Sequence, residues 1–295
     1  MKDFSQTGAT RLTALVTGAS SGIGSHYADR LALRGCNVLL ISNQAEQIRE
    51  TAACIASKYG YADRSSRPGN RETEHRETGS GTLSERPWVM GLYKNLAEPE
   101  AARELWEFCR DNAITVDILI NNAGIFFFKD TVECAPEKVL TILNLHIVTA
   151  TMLCRYFGED MKKRKKGYIL NMSSISVHTP FPGISLYTAT KSYIRTFTKA
   201  LHYEMKEYGI KVLAVSPGAV ATDLYSLPPH LQKLGVRLGI IYRPGRLADK
   251  ALNKLAKGKT EFIPGFVNRF YKPFFALLPG WFKMTARRKL KTLMK

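Results

Sequence analysis

Tyr187 and Lys191 are four residues apart, and on an α-helix that spacing stacks the two side chains on one face. A phenol has an intrinsic pKa of about 10, so near neutrality it is a poor acid or base unless a positive charge favours its anion. Lys191 would supply that charge. Ser174 lies thirteen residues before Tyr187, just after the apolar run Tyr168-Ile169-Leu170. The run reads as a buried strand, and a strand end followed by a loop and a helix can return the Ser174 hydroxyl to the neighbourhood of Tyr187. A hydroxyl, a phenol and an amine placed this way suit proton transfer to or from an oxygen atom.

Positioning such a trio calls for a rigid sheet with helices returning across it. Six apolar runs read as strands: 12–16, 37–41, 88–92, 116–120, 168–170 and 210–215. The first stops at Thr17-Gly18-Ala19-Ser20-Ser21-Gly22-Ile23-Gly24, followed by an amphipathic segment with Tyr27, Leu31 and Leu33 among its apolar positions. Strand, glycine turn and helix in that order open a βαβ nucleotide site, where glycines allow the backbone to approach a pyrophosphate at a helix N-terminus. The spacing is GxxxGxG, so a purely structural turn is the competing reading. After the second strand, an acidic residue would accept from a 2′-hydroxyl of NAD and repel a 2′-phosphate. Ser42, Asn43 and Gln44 stand there, which favours NADP(H) over NAD(H), although no arginine is present to grip the phosphate. The 116–120 strand ends in Asn121-Asn122-Ala123-Gly124, two amides and a glycine that can brace the sheet edge and leave room for a flat ligand.

The bulk composition bounds the answer. The 295 residues suit one large α/β domain, and the 45% hydrophobic content allows a sizeable core. No apolar run reaches the eighteen residues expected of a spanning helix, and the polar start Met1-Lys2-Asp3-Phe4-Ser5-Gln6 reads as no secretory signal. Five scattered cysteines without a CxxC pair point to reduced thiols in a cytoplasmic setting and to no metal site. The net charge of +18 implies attraction to an anion: a phosphorylated cofactor, nucleic acid or a lipid surface.

Other stretches are less specific. Residues 61–87 alternate arginines and glutamates among Ser, Thr, Gly and Pro, and read as a flexible insertion, either a solvated loop or a docking loop, on the edge away from the strand carboxyl ends. Phe126-Phe127-Phe128 need a core or an apolar substrate. Asn144, set among apolar neighbours, reads as a satisfied core amide, and His146 as a structural or partly exposed histidine. Lys162-Lys163-Arg164-Lys165-Lys166 reads as a solvated loop, and the apolar segment 224–244 as a lid over a bound ligand.

Taken in order, Thr17-Gly18-x3-Gly22-x-Gly24, Asn121-Asn122-Ala123-Gly124, Ser174, Tyr187-x3-Lys191 and Pro217-Gly218 closely resemble the short-chain dehydrogenase/reductase family over about residues 10–265. The resemblance implies a Rossmann-type, doubly wound parallel sheet in a three-layer αβα domain. It implies a catalytic tetrad in which Ser174 polarises the substrate oxygen, Tyr187 is the acid/base, Lys191 holds the nicotinamide ribose and Asn144 keeps a water relay to the lysine. Asn144 thereby changes from a core amide to a site residue. The cofactor residues so implied are Gly18, Ser20, Ser21, Gly22, Ile23, Gly24, Ser42, Asn43, Asn95, Leu96, Asn121, Ala123, Gly124, Tyr187, Lys191, Pro217, Gly218, Val220 and Thr222. Asn95 stands where the family has an aspartate beside the adenine. Leu39-Leu40-Ile41-Ser42-Asn43 is similar to the LISR pattern of NADP(H)-dependent 3-ketoacyl-CoA, 17β-hydroxysteroid and 3-ketosphinganine reductases, with Asn43 in place of their arginine.

From Phe262 to Lys295 there is no acidic residue, and basic side chains are interleaved with aromatics. Such a C-terminal extension, residues 266–295, suits an anionic bilayer surface, with a packed extension or oligomer contact and RNA binding as alternatives. The expectation is therefore an NADPH-dependent reductase of a lipophilic ketone such as a 3-keto lipid. It would be a cytoplasmic homo-oligomer, peripheral on the inner face of a membrane and without a nucleic-acid partner. The competing readings are a catalytically silent dinucleotide-binding scaffold and a steroid or xenobiotic carbonyl reductase.

Overall fold

The computed structural model describes residues 11–65, 86–179, 181–221, 241–265 and 279–293. In chain order these form β1 (Thr13–Thr17), α1 (Gly22–Leu33), β2 (Asn37–Ser42), α2 (Ala45–Tyr59), β3 (Ala62–Asp63), β4 (Trp88–Tyr93), α3 (Ala101–Asp111) and β5 (Ile118–Asn121). There follow α4 (Pro136–Leu143), a π-helical turn (Asn144–Thr149), α5 (Ala150–Arg164), β6 (Gly167–Met172), α6 (Ser185–Lys206), β7 (Ile210–Val215), α7 (Pro244–Ala256), β8 (Glu261–Phe262) and α8 (Gly280–Leu293). The strands make one parallel sheet in the order β3-β4-β2-β1-β5-β6-β7-β8.

Side chains alternate across a strand, so each strand feeds two cores. Ala14, Val16, Val38, Leu40, Ile118 and Ile120 face α1, α2 and α7, where they meet Tyr27, Leu31, Ile48 and Leu252. Leu15, Leu39, Ile41, Leu119, Ile169 and Val212 face the other way, onto Leu105 of α3 and Leu153, Phe157 and Met161 of α5. Burial on both faces explains why the strands read as continuous apolar runs. The three-layer αβα architecture thus agrees with the sequence reading.

Several expectations change. The edge strands β3 and β8 are two residues each, too short for a periodicity to register. Tyr61 is buried and donates to the Ala32 carbonyl at 2.7 Å, Ala62 and Asp63 pair with β4, and Ser65 Oγ accepts from Gly91 N–H at 2.8 Å. The start of the supposed insertion therefore belongs to the sheet, while 66–85 lies outside the described residues, as does 224–240 of the expected lid. Lys162, Lys163 and Arg164 form the last turn of α5 instead of a loop, where cations complement the helix dipole and Arg164 donates to the Val116 carbonyl at 2.9 Å. Leu33 is exposed at the end of α1.

Helical backbone runs without a break from Pro136 to Arg164, and one eighteen-residue window in it reaches a mean hydropathy of 1.3. By length and composition it is apolar enough to cross a membrane, which the broken apolar runs of the sequence did not signal. Its α5 part packs on the sheet through Leu153, Phe157 and Met161.

Candidate active site

The sheet order reverses between β1 and β5, and in doubly wound sheets ligands bind outside the strand carboxyl ends at such a point. A cavity of about 500 Å³ lies there, bounded by residues at or just past the ends of β1 (Gly18), β2 (Ser42), β4 (Lys94), β5 (Asn122), β6 (Met172) and β7 (Pro217). The N-terminus of the twelve-residue α1 opens onto it, with Gly22 as its first residue. Gly18 and Gly22 both hold left-handed backbone, φ +63° and +56°, which makes the sharp turn. Gly24 is required for a different reason: a Cβ there would lie 1.9 Å from the Gly18 carbonyl oxygen. The turn is tied to β5 by Asn122, whose Nδ2 donates to the carbonyls of Thr17 at 3.0 Å and Gly18 at 3.1 Å, and by Thr17 Oγ1, which accepts from the amides of Asn122 and Ala123.

The same cavity is lined by Tyr187 and Lys191, both from the first turns of α6 and both buried. Lys191 Nζ donates to the Met172 carbonyl at 3.0 Å and sits 5.8 Å from the Tyr187 ring centre. Burial pushes its ammonium down to about 8. Ser173 Oγ donates to the Lys191 carbonyl at 2.8 Å, fastening α6 to the end of β6. Phe126 meets Tyr187 edge-on at 5.1 Å, and the Phe128 ring packs under Gly183. All three phenylalanines of that run are half-buried, so they are neither plain core nor freely exposed.

Of the expected cofactor residues, Gly18, Ser20, Ser21, Gly22, Ile23, Ser42, Asn43, Asn95, Leu96, Ala123, Gly124, Tyr187, Lys191, Pro217, Gly218 and Val220 line the cavity. Gly24 supports it from behind, and Thr222 lies outside the described residues. Asn121 faces away: its Nδ2 donates to Asn171 Oδ1 at 2.8 Å, bracing β5 against β6 beside a second cavity of about 20 Å³ behind Lys191. Its neighbour Asn122 holds the cofactor turn instead, and strand alternation was the signal that could have separated the two amides. Ser174 is buried, with its hydroxyl accepting from Ser176 N–H at 3.2 Å, and it is not among the residues lining the larger cavity. Asn144 is not either: it begins the π-helical turn and its Nδ2 donates to the Ala97 carbonyl at 3.1 Å.

Near the ends of β2 and β4, Ser20, Ser42 and Gln44 close on one another: Ser20 Oγ donates to Gln44 Oε1 at 2.6 Å and lies 2.9 Å from Ser42 Oγ. Lys94 lines the same region and pairs with Glu104. Among the described residues lining the cavity there is no carboxylate.

A parallel sheet with a glycine turn at its switch point, and a Tyr-Lys pair lining the same cavity, defines a dinucleotide-binding oxidoreductase site. A family model described as short chain dehydrogenase matches residues 12–65 and 69–227, and the chain belongs to this family of NAD(P)-dependent oxidoreductases. Among relatives, the Pongo abelii protein named inactive hydroxysteroid dehydrogenase-like protein 1 is 31% identical over 91% of this chain and 72% of its own length. The very-long-chain 3-oxoacyl-CoA reductase of Anas platyrhynchos is 32% identical over 72% of this chain and 60% of its own. Among solved structures, a short-chain dehydrogenase from Sphingobium yanoikuyae in complex with NADPH matches with a TM-score of 0.70 at 24% identity, over 91% of this chain and 97% of that one.

Proposed function

We propose that this chain reduces a lipophilic ketone at the expense of NADPH, with a 3-keto lipid such as a 3-ketoacyl thioester or 3-ketosphinganine as substrate. The observation that carries the reading is the Tyr187–Lys191 pair lining the same cavity as the glycine turn. The left-handed glycines, the α1 N-terminus and the lining residues Tyr187, Lys191, Pro217 and Gly218 fit a nicotinamide dinucleotide, which supplies the hydride when bound. Tyr187 gives its phenolic proton to the carbonyl oxygen. The Lys191 ammonium, which donates to the Met172 carbonyl, stabilises the phenolate left behind. Ser174, one residue past a lining position, is assigned to the developing oxyanion. Phe126, half-buried and edge-on to Tyr187, and the named activity of the 3-oxoacyl-CoA reductase relative support an apolar substrate.

NADP(H) is preferred over NAD(H) in this reading because no described residue lining the cavity is a carboxylate and Asn43 and Lys94 line it near the end of β2. An anionic bilayer is the second partner. Helix α8 has no acidic residue and carries Lys283, Arg287, Arg288, Lys289 and Lys291, with Trp281 and Met284 exposed. Arg287 forms a two-pronged ion pair with Asp130, in the loop that follows Phe126–Phe128, so the basic helix rests on the side of the molecule where an apolar substrate would enter.

Turnover of NADPH with 3-ketoacyl thioesters, 3-ketosphinganine and steroid ketones tests the activity. Tyr187→Phe should keep NADPH binding and lose about 10²–10⁴-fold in turnover. Near wild-type activity in that variant refutes the mechanism. Flotation with phosphatidylserine vesicles tests the membrane reading: Lys283→Glu with Arg288→Glu should reduce it, and undiminished flotation refutes it. A second reading, a dinucleotide-binding scaffold without catalysis, is favoured by the word inactive in the name of a relative. Absence of turnover on every ketone, with NADPH still bound, would establish it.

A further inference from the structure

His146 has no part in the chemistry above, yet its ring is wedged between the cofactor cradle and the catalytic helix. It lies in the π-helical turn between α4 and α5, and it is only 2% exposed. Nε2 accepts from the Ile125 amide at 3.0 Å, in the loop that leaves β5. Nδ1 lies 2.9 Å from Thr190 Oγ1, and Thr190 Oγ1 donates to the Tyr187 carbonyl at 2.9 Å. These bonds fix the tautomer. Thr190 has one hydroxyl hydrogen and spends it on Tyr187, so its oxygen must accept from Nδ1–H. Nε2, in turn, can accept from Ile125 only when it carries no proton. The imidazole is therefore neutral, and an unbroken chain of three hydrogen bonds runs from Ile125 to Tyr187.

The surroundings hold the ring in that state. The ionisable groups facing it are Lys191 and Tyr187 from α6, whereas the loop after β5 presents the Ile125 amide. Burial, and then the Lys191 charge, keep the imidazole well below its ordinary value. The ring meets Tyr187 edge-on at 5.9 Å. Gly124 approaches so closely that a Cβ there would lie 2.9 Å from His146 Nε2 and 3.4 Å from Lys191 Nζ. Moving the ring would therefore disturb both sides of the site together.

We propose that His146 is a positioning residue: through Thr190 it ties the cofactor loop at Ile125 to the helix that carries Tyr187 and Lys191, and it does so only as the Nδ1–H neutral imidazole. The proposal rests on Tyr187 being the proton donor. Protonation of Nε2 would break the Ile125 bond and place a second cation beside Lys191, so the site should loosen at acidic pH.

Two measurements on the full chain test this. In the first, kcat and KM are determined with NADPH and a 3-ketoacyl thioester for wild type, His146→Phe, Thr190→Val and Thr190→Ser, with folding checked by circular dichroism. Misplacing a catalytic group by about 1 Å can cost about 100-fold. The expectation is a fall in kcat of about 10- to 100-fold for Thr190→Val with KM nearly unchanged, and restoration by Thr190→Ser. Folded His146→Phe and Thr190→Val with kcat within twofold of wild type, while Tyr187→Phe is dead, overturn the proposal alone; an active Tyr187→Phe overturns the catalytic reading on which it rests. In the second, nitrogen-15 NMR of the imidazole without cofactor should show the Nδ1–H neutral form persisting below pH 6. An Nε2–H tautomer, or an imidazolium at pH 7, overturns it independently of any activity.

Discussion

Replacing Gly24 with alanine is the sharpest test of the cofactor cradle. The added Cβ would lie 1.9 Å from the Gly18 carbonyl oxygen and 2.6 Å from Asn122 Nδ2. The first is a backbone atom that cannot rotate aside. Restoring an ordinary contact of about 3.4 Å requires α1 and the glycine turn to separate by about 1.5 Å. A shift of that size strains the packing, at a typical cost of about 1–3 kcal/mol. It also disrupts the Asn122 bonds to Thr17 and Gly18, at about 1 kcal/mol each. The total is about 3–5 kcal/mol, lowering Tm by about 2–4 °C per kcal/mol. If NADPH binds only the undistorted turn, the lower figure corresponds to about a 100-fold loss of affinity. Fluorescence titration with NADPH and thermal melts would measure both. Gly35→Ala is the control: that position has φ +83° and open space around it, so only backbone strain of about 1–2 kcal/mol is expected, with cofactor affinity unchanged. NADPH affinity in Gly24→Ala within threefold of wild type would show that the turn does not cradle the dinucleotide.

Asn43→Asp should weaken NADPH by tenfold or more relative to NADH, read from the two dissociation constants, because a carboxylate would face the 2′-phosphate; equal losses for both nucleotides would contradict the placement of the adenosine end. Burial pushes the Cys36, Cys109 and Cys154 thiols up to about 12, against about 8.5 in an unfolded chain. The unfolded state then releases its protons first, so these thiols contribute stability that is full below about pH 8.5 and is lost as pH rises towards 12. Lys191, held down to about 8, opposes this between about pH 8 and 10.5, because there the folded state is the one that has released its proton. Urea melts should accordingly show a steeper alkaline loss in Lys191→Met than in wild type. With iodoacetamide on the native protein, the exposed Cys54 should react first and the three buried thiols only on unfolding, which mass spectrometry would locate.

Features controlled by local spacing can be read from the chain alone. Buried parallel strands must be continuously apolar, so six of them, the glycine turn after the first and the i, i+4 placement of Tyr187 and Lys191 were legible from neighbours a few residues apart. The two-residue strands β3 and β8 carry no period and became strands only because β4 and β7 offered a paired edge. The two adjacent amides could not be assigned from composition. Sheet pleating sent Asn121 behind the site to Asn171, fifty residues away, and Asn122 back to the turn after β1. His146 reads as a structural histidine in a linear chain, and only the packing of the π-helical turn against α6 brings it to Thr190, forty-four residues on, and to Ile125, twenty-one residues before. Such partners are fixed by which elements pack together. That is a property of the sheet order, and no window of sequence contains it.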